Sequence, residues 1–171
     1  MPIYDYLAII DWINISKIMS ISSFIYAFIP LYGAGVRLRI YLRLREFFRK
    51  RQWIFWGQCL KSLIQYKYGM EISINAIISP KVQFMHTVGT VIGEGVVVKE
   101  GVVLYSGVTL GRKDITKDDD YPYIEEGVIL STGCSVLGKV KVGKDAIIGA
   151  HSLLIQDAIG GVFMQEYPLS A

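Results

Sequence analysis

Cysteine, histidine and net charge are all scarce in this chain. Its 171 residues include two cysteines and two histidines, and the formal net charge is only +3. Cys59 and Cys134 lie in different segments, so we expect reduced thiols, a buried one at Cys134, and a reducing cytoplasm rather than a disulfide. So small a charge does not indicate a nucleic-acid-binding protein. No basic region precedes the first apolar residues, so we do not expect a secretory signal.

A six-residue repeat of aliphatic residues dominates the second half of the chain. This period matches neither the 3.6 residues per turn of a helix nor the two-residue alternation of a strand. A short fixed repeat predicts a coil in which each unit buries its face against its neighbours, and hexapeptide repeats are typical of a parallel β-helix. The repeat positions are Ile72, Ile78, Phe84, Ile92, Val98, Leu104, Leu110, Ile124, Leu130, Val136, Val142, Ile148 and Leu154.

Two interruptions divide the repeat into about four turns. The first is a two-residue insertion, which we place at Thr90 and Val91. The second, residues 112–123, is so rich in charge that it must loop out of the coil. It is either a functional loop or a tolerated surface insertion. We therefore predict a β-helix over residues 71–156 with the loop 112–123 extruded, followed by an irregular tail over 157–171.

Stacking the predicted turns places a line of small residues above a histidine. The residues two positions after the repeat positions on one face are His86, Ser106, Thr132 and Ala150. Such a groove suits an extended ligand whose reactive end meets the imidazole. The alternative is that small residues merely fit a corner of the coil and that His86 is a solvated polar residue.

The first 70 residues predict a basic helical segment. Between Arg37 and Arg51 the chain carries seven cations against the single acid Glu46, directly after the uncharged run 18–36. That run is only a marginal transmembrane candidate by length. We favour a buried helix followed by a basic amphipathic helix that covers the first turn of the coil. Contact with an anionic membrane face through arginines and aromatic residues is the alternative.

Four segments of the repeat region carry a family resemblance: FMHTVGTVIGEGVVV, GVTLGRK, YPYIEEGVIL and VKVGKDAIIGAHSLL. With them the chain resembles the hexapeptide-repeat acyltransferases, in particular the serine-acetyltransferase-like group. The similarity implies a left-handed β-helix, which is an exception to the right-handed crossover rule. It also implies a homotrimer with active sites between neighbouring coils and acetyl-CoA as the donor, and we expect no metal.

The resemblance implies roles for individual residues. His86 matches the catalytic base, and Glu71 stands where the group has the aspartate that orients it, although an exposed glutamate with no such role is the alternative. Gly111 could lend a backbone N–H to the donor or to the oxyanion. His151 is interpreted as a surface histidine. The residues of the donor track are Ser106, Thr132 and Ala150.

The departures from the group's pattern bear on the acceptor. Met85 replaces an aspartate before the histidine, and Asp120 and Tyr121 replace an arginine–histidine pair that helps to hold the amino acid. An aspartate in place of the arginine should repel a substrate carboxylate. Tyr121 and Asp119 could instead stack on and hydrogen-bond to a pyranose. The end of the chain also lacks the group's usual proline turn and Gly-x-Pro-Ala step, which help to hold CoA.

These departures lead to a functional prediction with two alternatives. We predict an acetyl-CoA-dependent O-acetyltransferase that acts on a saccharide hydroxyl in surface-polysaccharide biosynthesis. A lipid-linked acceptor would place it at the inner face of the cell membrane, and the arginine-rich segment before Tyr68 to Ile72 looks like that of such members. The alternatives are serine O-acetylation in cysteine biosynthesis and a catalytically degenerate coil with a structural role.

Overall fold

The computed structural model describes residues 34–164 apart from 115, 117 and 118. The chain divides into two compact units, Met1–Ile40 and Tyr41–Ala171. Only residues 34–40 of the first unit are described, so most of the uncharged run 18–36 lies outside the described residues. Within the described part, no helix combines the length and apolar character needed to cross a membrane.

Two helices precede the coil. Helix α1 spans Ala34–Lys50 and helix α2 spans Ile54–Tyr68. Arg49 lies in the last turn of α1, where a cation complements the negative end of the helix dipole. Gly69 ends α2 in a left-handed conformation with φ of 62°, and its N–H donates to the Gln65 carbonyl at 3.0 Å. The chain then passes directly into the first strand.

The described chain continues as fourteen short parallel strands. They are β1 (Glu71–Ile72), β2 (Ile77–Ile78), β3 (Gln83–Phe84), β4 (Val91–Ile92), β5 (Val97–Val98), β6 (Val103–Leu104), β7 (Thr109–Gly111), β8 (Tyr123–Ile124), β9 (Ile129–Leu130), β10 (Ser135–Leu137), β11 (Lys141–Val142), β12 (Ile147–Ile148), β13 (Leu153–Leu154) and β14 (Phe163–Met164).

The strands form three sheets that enclose a triangular prism. The first sheet has the order β1-β4-β7-β10-β13, the second β2-β5-β8-β11 and the third β3-β6-β9-β12-β14. From β1 to β13, successive strands belong to successive sheets, so each turn of the chain visits all three faces. The architecture is the left-handed parallel β-helix that the sequence resemblance predicts.

The aliphatic repeat fills the inside of this prism. Leu104 pairs with Phe84 on one side and Leu130 on the other, in the register that the six-residue period predicts. Leu104, Leu110 and Leu130 have no exposed surface. Burying each such side chain contributes roughly 1.5–3 kcal/mol. The stack of repeat positions is therefore the main source of cohesion in the coil.

The insertion in the first turn lies at a different place from the one predicted. Val91 belongs to β4, where it pairs with Glu71 and Thr109, so it is not inserted. Thr90 is fully buried at the inward position that Val108 occupies one turn later. Gly89 lies over Gly107, since a Cβ on Gly89 would be 3.5 Å from the Gly107 Cα.

The extra residues of the first turn are therefore His86 and Thr87. The six-residue period could not distinguish the two placements of the insertion, because both keep Phe84 and Ile92 inward. The difference matters because the insertion itself carries the histidine.

The coil continues beyond the boundary predicted at residue 156. Leu154 pairs with Val136, eighteen residues earlier, but Ala158 bridges to Val142, only sixteen residues earlier. Met164 in β14 then pairs with Ile148. The fifth turn is thus two residues shorter between its first two faces. This shortening breaks the six-residue repeat, which is why the sequence pattern predicted an irregular tail.

Arg45 of α1 closes the open end of the first turn. Its side chain is 1% exposed. The guanidinium donates to the carbonyl oxygens of Ser73 at 2.6 Å and Ala76 at 2.9 Å. Burial lowers the pKa of Arg45 to about 10, which leaves it charged at neutral pH. These bonds satisfy carbonyl oxygens that have no preceding turn of coil to donate to them.

Candidate active site

His86 projects from a corner of the prism, between the third sheet and the first. It is exposed, and its ring centroid lies 6.5 Å from that of Tyr105 on the next turn, with an interplanar angle of 56°. Within the described residues, no hydrogen bond or ion pair holds the imidazole. The two-residue insertion lifts the side chain out of the regular corner, much as a β-bulge re-aims a residue.

The predicted track of small residues is present at this corner, but His86 does not lie beneath it. The backbone bonds along the column run from Gly107 N–H to Val88 O, from Gly133 N–H to Ser106 O, and from His151 N–H to Thr132 O. Val88, which is 70% exposed, therefore occupies the base of the column. The members of the column above it are Ser106, Thr132 and Ala150. The insertion displaces His86 outward beside the column.

Glu71 is engaged by a helix residue rather than by the histidine. Its carboxylate lies 2.8 Å from the ammonium of Lys61 in α2, and the Glu71 side chain is 45% exposed. Among the described residues it makes no bond to His86. The orienting role assigned to Glu71 from the resemblance stays a prediction.

Asp120 anchors the two ends of the extruded loop. One carboxylate oxygen accepts from the backbone N–H groups of Lys113 at 3.0 Å and Asp114 at 2.8 Å, and the other accepts from that of Lys139 at 2.8 Å. The substrate-binding role predicted for Asp120 stays a prediction, and in the structure three backbone donors engage its two oxygens. The sequence argument from charge repulsion assumed a free carboxylate.

Asp119 and Tyr121 both line an open cavity of about 550 Å³ under the loop. Asp119 is exposed and pairs with Lys139 at 2.5 Å, and this hydrogen bond holds the pKa of the Asp119 carboxyl below its usual range. Tyr121 lies flat on the coil, where a Cβ on Gly95 would overlap its ring. The guanidinium carbon of Arg112 lies 5.2 Å from the centroid of the same ring.

The remaining predicted residues lie at or beside the corners. Gly111 ends β7, and its carbonyl accepts from the Gly138 N–H at 2.9 Å. A Cβ there would make only ordinary contact with Leu137, so space alone does not require glycine. Met85 is 52% exposed beside His86, and nothing in the structure explains why methionine stands there.

His151 is exposed, as the sequence predicts. It has a φ of 58°, and its ring covers Gly133, where a Cβ would lie 2.5 Å from Nδ1. Its position is thus explained by corner packing. Among the described residues, no three His, Cys, Asp or Glu side chains gather in a way that could hold a metal ion.

Sequence reasoning missed three residues of this region. Lys61 gave no signal, because nothing in the helix pattern shows that its side chain reaches Glu71. Arg112 and Glu94 line the cavity under the loop. Arg112 was visible only as one charge in the interrupting segment, and Glu94 only as part of a repeat corner.

Comparison with known proteins identifies the family. No family model matches the chain. The serine acetyltransferase of Bacillus licheniformis is 34% identical over 115 residues, which cover 67% of this chain and 53% of that protein. The serine acetyltransferase of Helicobacter pylori is 32% identical over 123 residues, which cover 72% of each chain. The chain belongs to the serine acetyltransferase family.

A solved structure extends the similarity in three dimensions. The crystal structure of serine acetyltransferase in complex with coenzyme A from Brucella abortus strain S19 superposes with a TM-score of 0.75 at 25% identity. The match covers 91% of this chain and 67% of that one. The chain spans about half the length of the Bacillus relatives that it matches, at 53% for each of two species.

These matches overturn the predicted acceptor. The prediction of a saccharide acceptor in polysaccharide biosynthesis is wrong, because the curated relatives and the superposed structures are serine acetyltransferases. The prediction rested on the charge of Asp120, which was expected to repel a substrate carboxylate. In the structure three backbone N–H groups bind this side chain within the loop.

Proposed function

We propose that this protein is an acetyl-CoA-dependent serine O-acetyltransferase. The observation that carries the proposal is its 32% identity to a serine acetyltransferase over 72% of both chains. The exposed His86, lifted from the corner by a local insertion, supplies the titratable group that such a reaction needs. The degenerate structural coil that the sequence left as an alternative has no comparable support.

The proposed reaction is a direct transfer. His86 takes the proton from the serine hydroxyl as its oxygen attacks the thioester carbonyl, and a C–O bond forms. The tetrahedral intermediate then breaks its C–S bond, and the imidazolium returns the proton to the leaving thiolate. A positioned general base contributes about 10²–10⁴-fold to such a step. A backbone N–H near Gly111 is proposed to stabilise the oxyanion.

The donor is proposed to lie along the corner column. Ser106, Thr132 and Ala150 have small side chains, and Thr132 and Ala150 are exposed. A column without bulky groups leaves room for an extended pantetheine arm to approach the backbone. The column ends beside the displaced His86, which places the thioester end of the arm near the base.

The homotrimer is proposed from the outer faces of two sheets. Outward positions on the second sheet and on the third are largely apolar, whereas the first sheet presents Glu71, Thr109 and Ser135 between Val91 and Leu153. Sheet two of one copy packing on sheet three of the next is a heterologous contact, and we propose that it closes into a ring of three copies. The outward apolar residues are Ile77, Val97 and Tyr123 on the second sheet and Val103, Ile129, Ile147 and Phe163 on the third.

Peripheral membrane contact is proposed from the start of α2. Ile54, Phe55 and Trp56 are 67%, 70% and 56% exposed. Lys50 and Arg51, just before them, are also exposed. Aromatic side chains beside cations suit the interface of an anionic bilayer.

Sedimentation with phosphatidylglycerol vesicles tests the membrane contact. We expect the wild-type chain to bind, the variant with Phe55→Ser and Trp56→Ser to lose binding, and Tyr66→Ser to keep it. Tyr66 is the matched control because it is 92% exposed on the same helix. Wild-type protein that stays in the supernatant would exclude the contact.

Thiol release from acetyl-CoA tests the main proposal. The full chain is incubated with acetyl-CoA alone and with L-serine, and O-acetylserine is identified by mass spectrometry. We expect thiol release that depends on serine. Release that is independent of serine, or none at all, overturns the proposed function.

A further inference from the structure

The backbone around His86 is fixed on both sides of the histidine. Before it, the Met85 N–H donates to the Leu104 carbonyl at 2.9 Å. After it, the Val88 carbonyl accepts from the Gly107 N–H at 3.0 Å. These bonds set where the Cα of His86 lies, but they leave the side chain free to change rotamer. The position of the imidazole therefore depends on what its ring meets.

The ring that lies against the imidazole is that of Tyr105. The carboxylate of Glu71 is engaged by Lys61 at 2.8 Å. In the part of the chain that the structure describes, no hydrogen bond or ion pair reaches the imidazole. Tyr105, on the next turn, has its ring centroid 6.5 Å away and its plane tilted by 56°. This separation falls within the range of about 4.5–7 Å at which tilted aromatic pairs attract each other.

Tyr105 occupies a column in which the coil itself does not require an aromatic ring. The residues that follow the paired inward positions of the third sheet are Met85, Tyr105, Ser131 and Gly149. Since Ser131 and Gly149 have little or no side chain, the coil forms this corner without a ring. The tyrosine stands at the turn that follows the inserted histidine. Its ring is therefore explained by its contact with His86 rather than by packing of the corner.

The backbone of Tyr105 is anchored to the turns on both sides. Its N–H donates to the Leu130 carbonyl at 3.0 Å. Its carbonyl accepts from the hydroxyl of Thr90 at 3.4 Å, and Thr90 is fully buried shortly after the inserted residues. The tyrosine side chain is half-buried. Because the base of the side chain is fixed, the ring presents a defined surface to the imidazole.

We propose that Tyr105 is a positioning residue for His86, whose ring limits the rotation of the imidazole and so holds the base beside the corner column. The inference rests on the proposed function, since it concerns the base of that reaction. Ser106, the first small residue of the column, directly follows Tyr105. One short segment thus sets both the base and the start of the proposed donor track. A reacting group that is misplaced by about 1 Å loses much of its effect, so such restraint contributes to the rate.

Steady-state kinetics of Tyr105→Leu and Tyr105→Phe test the role. We expect the leucine variant to lower kcat with serine by about 3- to 10-fold, the rate equivalent of one aromatic pair. The phenylalanine variant keeps the ring and should retain the wild-type kcat. The KM for acetyl-CoA should stay at the wild-type value in both. Tyr66→Leu is the matched control, because it makes the same change at a residue that is 92% exposed on α2.

A double-mutant cycle separates positioning from a structural role. If Tyr105 acts through His86, Tyr105→Leu should have no further effect on kcat in the His86→Ala background. A defect in packing or in the donor track would lower kcat by the same factor in both backgrounds, and that result would overturn the proposal. A kcat for Tyr105→Leu equal to that of the wild type would overturn it as well.

Nuclear magnetic resonance gives a readout that does not depend on activity. The chain has only two histidines, so the imidazole C–H signals of His86 are identified by their loss in His86→Ala. Ring currents act at short range, so Tyr105→Leu should shift these signals, Tyr105→Phe should keep them, and the signals of His151 should stay in place. Unchanged His86 signals in Tyr105→Leu would contradict the contact. Failure of the proposed function is separate, because the wild type itself would then release no thiol in response to serine.

Discussion

The carboxylate of Asp120 accepts a hydrogen bond from the backbone N–H of Lys139 at 2.8 Å, which ties the end of the extruded loop to the next turn of the coil. Its other oxygen accepts from Lys113 and Asp114 at the start of the loop. One side chain therefore joins both ends of the loop to the scaffold. Since Arg112 and Tyr121 flank these anchors, the same bonds position the walls of the cavity.

We expect Asp120→Ala to loosen the loop. Three backbone donors lose a charged acceptor, and water replaces it only in part, so the cost should be roughly 1–3 kcal/mol. Hydrogen exchange measures the effect, and the amides of Lys113, Asp114 and Lys139 should exchange faster. Asp119→Ala is the control, because its exposed ion pair with Lys139 carries no backbone bond of the loop. Unchanged protection in Asp120→Ala would contradict the anchoring role.

The two histidines offer a matched pair of substitutions. His86→Ala should lower kcat by about 10²–10⁴-fold, the usual contribution of a general base. His151→Ala should leave kcat close to the wild-type value, because packing over Gly133 explains that side chain. Both residues are exposed, so circular dichroism should show the same melting temperature for His86→Ala and the wild type. Similar losses in both variants would refute His86 as the base.

Arg45 is expected to stabilise the start of the coil. Arg45→Ala removes donors from the carbonyls of Ser73 and Ala76, which should cost roughly 3 kcal/mol. For a chain of this length, that loss corresponds to a fall in Tm of about 6–12 °C. Thermal unfolding checks the value, with Arg43→Ala as the control because Arg43 is exposed on the same helix. Equal melting temperatures for the two variants would contradict the proposed role of Arg45 in capping the first turn.

The two cysteines should differ sharply in reactivity. Burial raises the pKa of the Cys134 thiol to about 12, so its thiolate, the reactive form, is scarce at pH 8. Cys59 is exposed. We expect a thiol reagent to modify one cysteine in the native chain and both in denaturant, and Cys59→Ser to abolish native labelling. Because the raised pKa lies far above pH 9, increasing the pH from 7 to 9 should not make the Cys134 thiol reactive. Rapid native labelling of Cys134 would contradict its burial.

The proposed trimer predicts opposite results for two outward residues. Ile129→Asp places a charge on the third sheet, within the proposed contact, and should produce monomers. Leu153→Asp alters the first sheet, where Leu153 is 45% exposed, and should leave the trimer intact. Light scattering coupled to size exclusion measures the mass of each variant. A monomeric wild type, or dissociation by Leu153→Asp alone, would rule out the proposed packing.

Much of the fold could be predicted from the sequence because a coil repeats the same local environment. Residues such as Leu130 and Ile148 meet the same inward position one turn apart, so their spacing records the register directly. The family resemblance likewise predicted the left-handed β-helix. It also predicted acetyl-CoA as the donor and His86 as the general base, and both roles are now proposed. The acceptor prediction rested on the residue type at position 120 alone. A residue type at an aligned position does not reveal which hydrogen bonds that residue makes.

The amino-acid sequence by itself determined the β-helix, since burial of one aliphatic residue in six admits few other arrangements. Three features required the tertiary structure: the insertion at His86 and Thr87, the fifth turn through Ala158 and Met164, and the engagement of Asp120 by backbone donors. The reason is common to all three. Each depends on which backbone groups meet across turns, and a periodic sequence leaves that pairing open wherever its period breaks.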